Sequence, residues 1–175
     1  MVKKTCSCIE CKDIVFFHGE TLAIAHSKCF AIPWSAKDFH ELLCLPAVFG
    51  FIIYTAKDNS DRTELLLNEE TTTSYIDPKG FILCLAAADQ CEILTICVLP
   101  EWRRKGLASK LLRSVTERAR NIGINKIFLE VAENNNLARK LYVNQGFEEF
   151  GRRQKYYSIG EKRVDAVKLF KFIGV

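Results

Sequence analysis

Ile93-Leu94-Thr95-Ile96-Cys97-Val98-Leu99-Pro100-Glu101-Trp102-Arg103-Arg104-Lys105-Gly106-Leu107-Ala108 reads as an apolar strand that passes through a basic, glycine-containing turn directly into a helix. A helix start leaves backbone N–H groups unpaired and carries a partial positive charge, so a turn of small residues there can wrap an anion closely. From Leu107, the apolar residues Leu111, Leu112, Val115 and Ala119 recur at helical spacing, Lys110, Arg113, Glu117 and Arg118 take the other side, and Gly123 is a stop signal. Lys126 to Val131 then alternates around Ile127, Leu129 and Val131, which turns Glu130 to the opposite face. Strand, helix and strand in this order imply a parallel crossover, and so an α/β fold with a mixed central sheet flanked by helices.

The flanking segments extend this pattern. Lys12 to Phe17 reads as a first strand and Gly19 to Cys29 as a short helix. Ser35 and Asp38 form a helix-start signal, with Phe39, Leu42 and Leu43 as the buried stripe before Pro46. Val48 to Thr55 and Gly80 to Ala88 are apolar strand runs, the latter turning at Asp89-Gln90 into Glu92 to Val98. Residues 58–79 between them are long and polar for a strand connection and are expected to be an inserted loop. Downstream, Asn134 or Asn135 caps a helix whose Leu137, Leu141 and Tyr142 are expected on one face, with Gly146 as its end. Phe147 to Tyr157 and Val164 to Phe172 close the chain as strands around Gly160.

The 175 residues suit one domain with a substantial core, and 49% hydrophobic with 26% charged residues describes an ordinary globular protein. Charge is uneven. Residues 1–100 hold 8 Lys/Arg against 13 Asp/Glu, net −5, whereas residues 101–175 hold 17 against 8, net +9. The basic half contains the glycine turn, as an anionic ligand requires, but no interleaved aromatic clusters point to nucleic acid. No apolar run follows Lys3 and Lys4, and Asp89, Gln90 and Glu92 interrupt the most apolar stretch, so neither a secretory signal nor a membrane span is expected. A cytoplasmic location follows, with the eight cysteines as thiols. Cys84 and Cys97 read as core residues, Cys6, Cys8 and Cys11 lack a fourth ligand at zinc spacing, and His18, His26 and His40 share no ligand pattern; no metal is expected.

Arg103-Arg104-Lys105-Gly106-Leu107-Ala108 fits an R-x-x-G-x-G/A pattern; it has neither the Gly-Lys-Ser/Thr of a Walker loop nor three spaced glycines. Alone, it equally describes a simple helix start. The chain also carries Leu129-Glu130-Val131, Asn135, Leu141-Tyr142 and Gly146-Phe147, in that order and at compact spacing. Together these segments resemble the GCN5-related N-acetyltransferase (GNAT) superfamily, and within it the bacterial ribosomal-protein-alanine N-acetyltransferases. The resemblance extends to Ala31-Ile32-Pro33-Trp34-Ser35 and to Gly151-Arg152-Arg153-Gln154-Lys155-Tyr156-Tyr157 through Asp165-Ala166.

The resemblance implies a single-domain GNAT fold and acetyl-CoA as co-substrate. Ile96, Cys97 and Val98 would border its thioester end, and Arg103, Arg104, Lys105, Gly106, Leu107, Ala108 and Ser109 would take the diphosphate, with Asn135 as a further CoA contact. Glu130 would accept the amine proton and Tyr142 would protonate the departing thiolate. An α-amine with a pKa near 8 must lose a proton before it attacks, and a phenol with a pKa near 10 holds one to give, so both assignments are chemically consistent. Trp34, Glu92, Tyr156 and Tyr157 would border the acceptor, Glu92 because strand alternation sets it with Leu94 and Ile96. The implied reaction is direct acetyl transfer to the N-terminal alanine of a small-subunit ribosomal protein by a monomer or weak dimer. A lysine side chain or small amine as acceptor, or a non-catalytic acyl-CoA-binding regulatory module, are the alternatives.

Overall fold

The computed structural model describes residues 9–55, 77–160 and 162–174. Its elements are β1 (Ile9–Asp13), α1 (Gly19–Ser27), α2 (Ala36–Leu43), β2 (Val48–Thr55), β3 (Pro78–Ala87), β4 (Gln90–Val98), α3 (Leu107–Asn121), β5 (Lys126–Ala132), α4 (Asn136–Asn144), β6 (Glu148–Ile159) and β7 (Lys162–Phe172). The strands form one mixed sheet in the order β1-β2-β3-β4-β5-β7-β6. Every adjacent pair is antiparallel except β4 with β5, which α3 connects as the crossover.

Two apolar layers sandwich the sheet. On one side Leu107, Leu111, Leu112, Val115 and Ala119 of α3 and Tyr142 of α4 pack on Ile82, Ile93, Ile127, Leu129 and Val131. On the other, Leu22 and Ala25 of α1 and Phe39 of α2 meet Ile52, Phe81, Leu83 and Cys97. The start of α2 is the expected capping box: Ser35 Oγ accepts the Asp38 N–H at 3.2 Å, and Asp38 Oδ2 accepts the Ser35 N–H at 2.7 Å.

Four sequence expectations need correction. The first strand lies earlier than Lys12–Phe17, because β1 pairs with β2 from Ile9↔Thr55 to Asp13↔Phe51, after which the Val15 N–H goes to His18 Nδ1 at 3.0 Å and closes a 3₁₀ turn. Leu137 is 71% exposed: it lies five residues, or about 140° around the helix, from Tyr142, and the buried seam of α4 is Ala138, Leu141 and Tyr142. Of the expected 58–79 loop, Pro78 and Lys79 belong to β3 and residues 58–76 lie outside the described residues. Finally, β4 does not alternate uninterruptedly. Leu83 pairs with Thr95 but Cys84 with Ile93, so Leu94 is an extra residue. The bulge reverses the alternation: Cys91 and Ile93 before it and Ile96 and Val98 after it all pack toward α3, whereas Leu94, Cys97 and Leu99 pack toward α1 and α2. Glu92 and Leu94 therefore do not share their face with Ile96.

His26 is 3% exposed and lies between the rings of Phe30 and Trp34, with centroids at 4.0 and 5.2 Å. Its Nδ1 accepts the Trp34 N–H at 3.1 Å, so the folded state holds the neutral imidazole, and burial pushes its pKa down to about 4 from 6.5. The unfolded chain binds this proton more readily, so the neutral ring's stability is intact above pH 6.5 and is lost as pH falls toward 4. Denaturant titration at these two pH values should show a loss of roughly 2–3 kcal/mol from this residue. His26→Asn, which keeps an acceptor but does not titrate, should flatten that part of the profile; an unchanged slope would remove His26 as its cause.

Candidate active site

The ladder between β4 and β5 contains only Gln90↔Lys126, Cys91↔Ile127 and Glu92↔Phe128. Both strands continue beyond it, β4 to Val98 beside β3 and β5 to Ala132 beside β7, so the sheet opens into a wedge between their C-terminal halves. The Leu99 N–H bonds to the Lys79 carbonyl at 3.0 Å, which sets the phase of the antiparallel ladder. Cys97 therefore directs its backbone groups at β3, whereas Ile96 and Val98 direct theirs into the wedge. Consistent with this phase, the Val98 carbonyl accepts from Arg103 Nε at 3.1 Å. The wedge thus presents a row of backbone donors and acceptors, which an extended chain bearing amides can pair.

The turn at the end of β4 adds an anion-binding shape. Arg104 and Gly106 both have left-handed backbone, φ 63° and 76°, and curl the chain into α3. Gly106 is the N-cap and supplies no side-chain cap, and the first helical bond runs from the Lys110 N–H to the Gly106 carbonyl at 3.0 Å. The amides of Leu107, Ala108 and Ser109 therefore have no intrahelical acceptor. A Cβ on Gly106 would meet nothing within 4 Å, so the left-handed backbone, not crowding, favours glycine here. The three basic side chains diverge: Arg103 folds onto Val98, Lys105 lies over the Trp102 ring at 4.3 Å, and Arg104 is exposed.

Beyond the wedge, Glu130 projects from β5 with its side chain 17% exposed. Its carboxylate accepts from Arg153 Nη1 at 3.2 and 3.4 Å, and the Arg153 guanidinium lies 4.1 Å over the Tyr156 ring. The Tyr157 hydroxyl donates to the Glu130 backbone carbonyl at 3.4 Å. Tyr142 is 5% exposed, its ring edge-on to Phe147, and burial, with a smaller effect from nearby Tyr157, pushes its phenol well above the usual range. A groove of about 340 Å³ on the sheet face opposite α3 is lined by Glu92, Phe128, Glu130, Phe150 and Lys168, among others.

The structure thus brings Glu130, Tyr156 and Tyr157 together, with Tyr142 near Tyr157, and sets Glu92 beside Glu130 in the groove. Trp34 packs with His26 and Phe39 on the α1–α2 side. Asn135 caps α4, its Oδ1 accepting the Ala138 N–H at 3.2 Å. Cys97 points away from α3; its Sγ lies 2.9 Å from Cys29 Sγ, and burial followed by that hydrogen bond pushes its thiol far up. Cys6 and Cys8 lie outside the described residues, and among those described no group of three His, Cys, Asp or Glu residues could hold a metal ion. No described helix is long and apolar enough to cross a membrane. Sequence reading missed the bulge and the Arg153–Glu130 pair. The first has no compositional signal, and the second joins residues 23 positions apart whose partnership depends on strand order.

A family model described as Acetyltransferase (GNAT) family matches residues 20–147. The chain is similar to the [ribosomal protein bS18]-alanine N-acetyltransferase of Haemophilus influenzae, 33% identical over 138 residues, covering 79% of this chain and 80% of that protein. The Escherichia coli K12 protein of the same name is 27% identical over 140 residues, covering 80% and 81%. Among solved structures, the ribosomal-protein-S18-alanine N-acetyltransferase of E. coli superposes with a TM-score of 0.79 at 21% identity over 96% of both chains. Arabidopsis thaliana NAA60 in complex with acetyl-CoA superposes at 0.74 and 20% identity, over 95% of this chain and 99% of that one. The chain belongs to the GNAT family, whose members use acetyl-CoA, and it is an N-acetyltransferase.

Thr95, next to the bulge, is 8% exposed, and its Oγ1 has no hydrogen-bond partner among the described residues. Thr95→Val keeps the shape and removes the unpaired hydroxyl, so thermal or denaturant unfolding should show stabilisation by about 1 kcal/mol. A destabilised variant would mean that the hydroxyl is satisfied in solution.

Proposed function

We propose that this enzyme acetylates the α-amine of a protein N-terminus, with the N-terminal alanine of a small-subunit ribosomal protein as its acceptor, by direct transfer in a ternary complex. The observation that carries the reading is the wedge itself, with the backbone groups of Ile96 and Val98 that face away from β3 on one side and Glu130 on the other. The acceptor rests on similarity to the bS18-alanine N-acetyltransferases, which spans about four fifths of both chains.

In this reading, Ile96 and Val98 pair with the amides of the pantetheine arm, and the amides from Arg104 to Ser109 hold the diphosphate, with the helix start favouring its charge. Asn135 is a further contact from the start of α4. Glu130 takes the proton of the acceptor ammonium, directly or through a water. The Val98 amide faces the carbonyl oxygen as it gains charge. Tyr142, kept neutral by its burial, gives a proton to the leaving sulfur. The raised Cys97 thiol is a poor nucleophile, which favours direct transfer over an acyl-cysteine. Arg152 pairs with Glu149 and Glu133, and Arg153 with Glu130, so the basic run of β6 is internally neutralised and does not repel a basic acceptor. Trp34, Glu92, Tyr156 and Tyr157 border the acceptor's first residues.

The test is CoA release from acetyl-CoA with an alanine-starting ribosomal peptide, its N-acetylated form, a lysine peptide and small amines. Release with the free alanine peptide alone is the expected result. Transfer to lysine or small amines instead would overturn the acceptor, and CoA binding without release on any amine would favour a regulatory module. Glu130→Gln should lower kcat/KM for the peptide by roughly a hundredfold near neutral pH, and by less at high pH where the amine is already neutral. Tyr142→Phe should lower kcat by about tenfold or more with little change in acetyl-CoA affinity. Wild-type rates across pH in either variant would remove that residue from the mechanism.

A further inference from the structure

Between Arg153↔Ala166 and Tyr157↔Val164, β6 spends three residues, Gln154, Lys155 and Tyr156, where β7 spends only Asp165. The middle residue of this bulge, Lys155, has φ 52°, a left-handed conformation that is unfavourable for a residue with a side chain. Two side chains of β7 hold it. Asp165 Oδ1 accepts the Lys155 N–H at 2.8 Å, and Arg163 Nη1 donates to the Lys155 carbonyl at 3.4 Å. The Asp165 carbonyl in turn accepts the Glu133 N–H at 2.9 Å, just past the end of β5, so Asp165 joins the bulge to the strand that carries Glu130.

The bulge determines what faces Glu130. In a regular strand, residues three apart lie about 10 Å from each other on opposite faces. Arg153 and Tyr156 are three apart, yet the guanidinium lies 4.1 Å over the phenol ring while its Nη1 holds the Glu130 carboxylate. The next residue, Tyr157, reaches the Glu130 carbonyl. In an unbroken ladder Tyr156 would follow Arg153 directly and face the other way, so its stacking on the guanidinium depends on the two extra residues, whereas Tyr157 lies opposite Val164 in either case.

We propose that Asp165 is a positioning residue of the acceptor site: by fixing Lys155 in its left-handed conformation, it brings Tyr156 back over Arg153, which holds the Glu130 carboxylate. This inference rests on the proposed role of Glu130 in acetyl transfer. Asp165 touches no reacting atom and acts entirely through the shape of β6.

The test uses Asp165→Ala, Asp165→Asn and the double variant Asp165→Ala/Lys155→Gly in the full chain. Asp165→Ala should raise the acceptor KM or lower kcat/KM by roughly tenfold while the acetyl-CoA KM stays within about twofold. Asp165→Asn keeps the acceptor oxygen and should stay near wild type. Lys155→Gly removes the left-handed penalty and should restore part of the activity to Asp165→Ala. Equal losses for both coenzyme and acceptor, or a failed rescue by Asn and Gly alike, would overturn the proposal, because a purely structural role predicts those results. Amide exchange at Lys155 and the Arg153 Nε–H resonance supply a readout without turnover. Asp165→Ala should speed that exchange and shift that resonance, and Asp165→Asn should not. If the wild type turns over no amine, acetyl transfer falls while these two signals still decide the role of Asp165; unchanged signals in Asp165→Ala would overturn it.

Discussion

The parting of β4 from β5 after three paired residues is the constraint on which the rest of the structure depends. A sheet interior ordinarily pairs every backbone group, because an unpaired buried N–H or carbonyl is costly. Here two central strands stay side by side at their N-terminal ends and separate at their C-terminal ends, each still supported by its outer neighbour. The helix that must connect two parallel strands starts at the mouth of this opening. One topological decision thereby gives both a polar slot and a positive helix end beside it.

The bulges in β4 and β6 refine that opening. The extra Leu94 lets Ile96 and Val98 join the α3 core while Cys97 crosses to the other layer. The bulge in β6 brings Tyr156 back over Arg153, which holds the Glu130 carboxylate. Each irregularity lies where a straight strand would aim side chains wrongly, and each is held by its neighbours.

Much of the fold was legible because periodicity and punctuation agreed. Val48–Thr55 is a strand over the very range its apolar run marks, and α3 begins at Leu107, just after the left-handed Gly106. The capping box at Ser35 and the cap at Asn135 follow from side-chain chemistry that acts within one helical turn. The failures share another cause. The Phe16-Phe17 pair reads as strand, but His18 captures the local backbone, and alternation from Glu92 fails at an insertion that only cross-strand register reveals. For the candidate site, Glu130 and Tyr142 were singled out through the spacing of a family resemblance. Arg153 and Asp165 were visible only as residues, since their partners are set by the pairing of β6 with β7 and of β7 with β5.

Two ammonium groups lie over the indole of Trp102, Lys105 at 4.3 Å and Lys79 at 5.0 Å, and Lys79 is itself tethered to Asp77. An anion held at the Gly106 turn competes with the ring for the Lys105 charge. The chain has just two tryptophans, and the other, Trp34, stacks on His26 at the far layer. The protein therefore contains its own pair of optical reporters, one tuned by charge at the turn and the other by the packing of the α1–α2 loop.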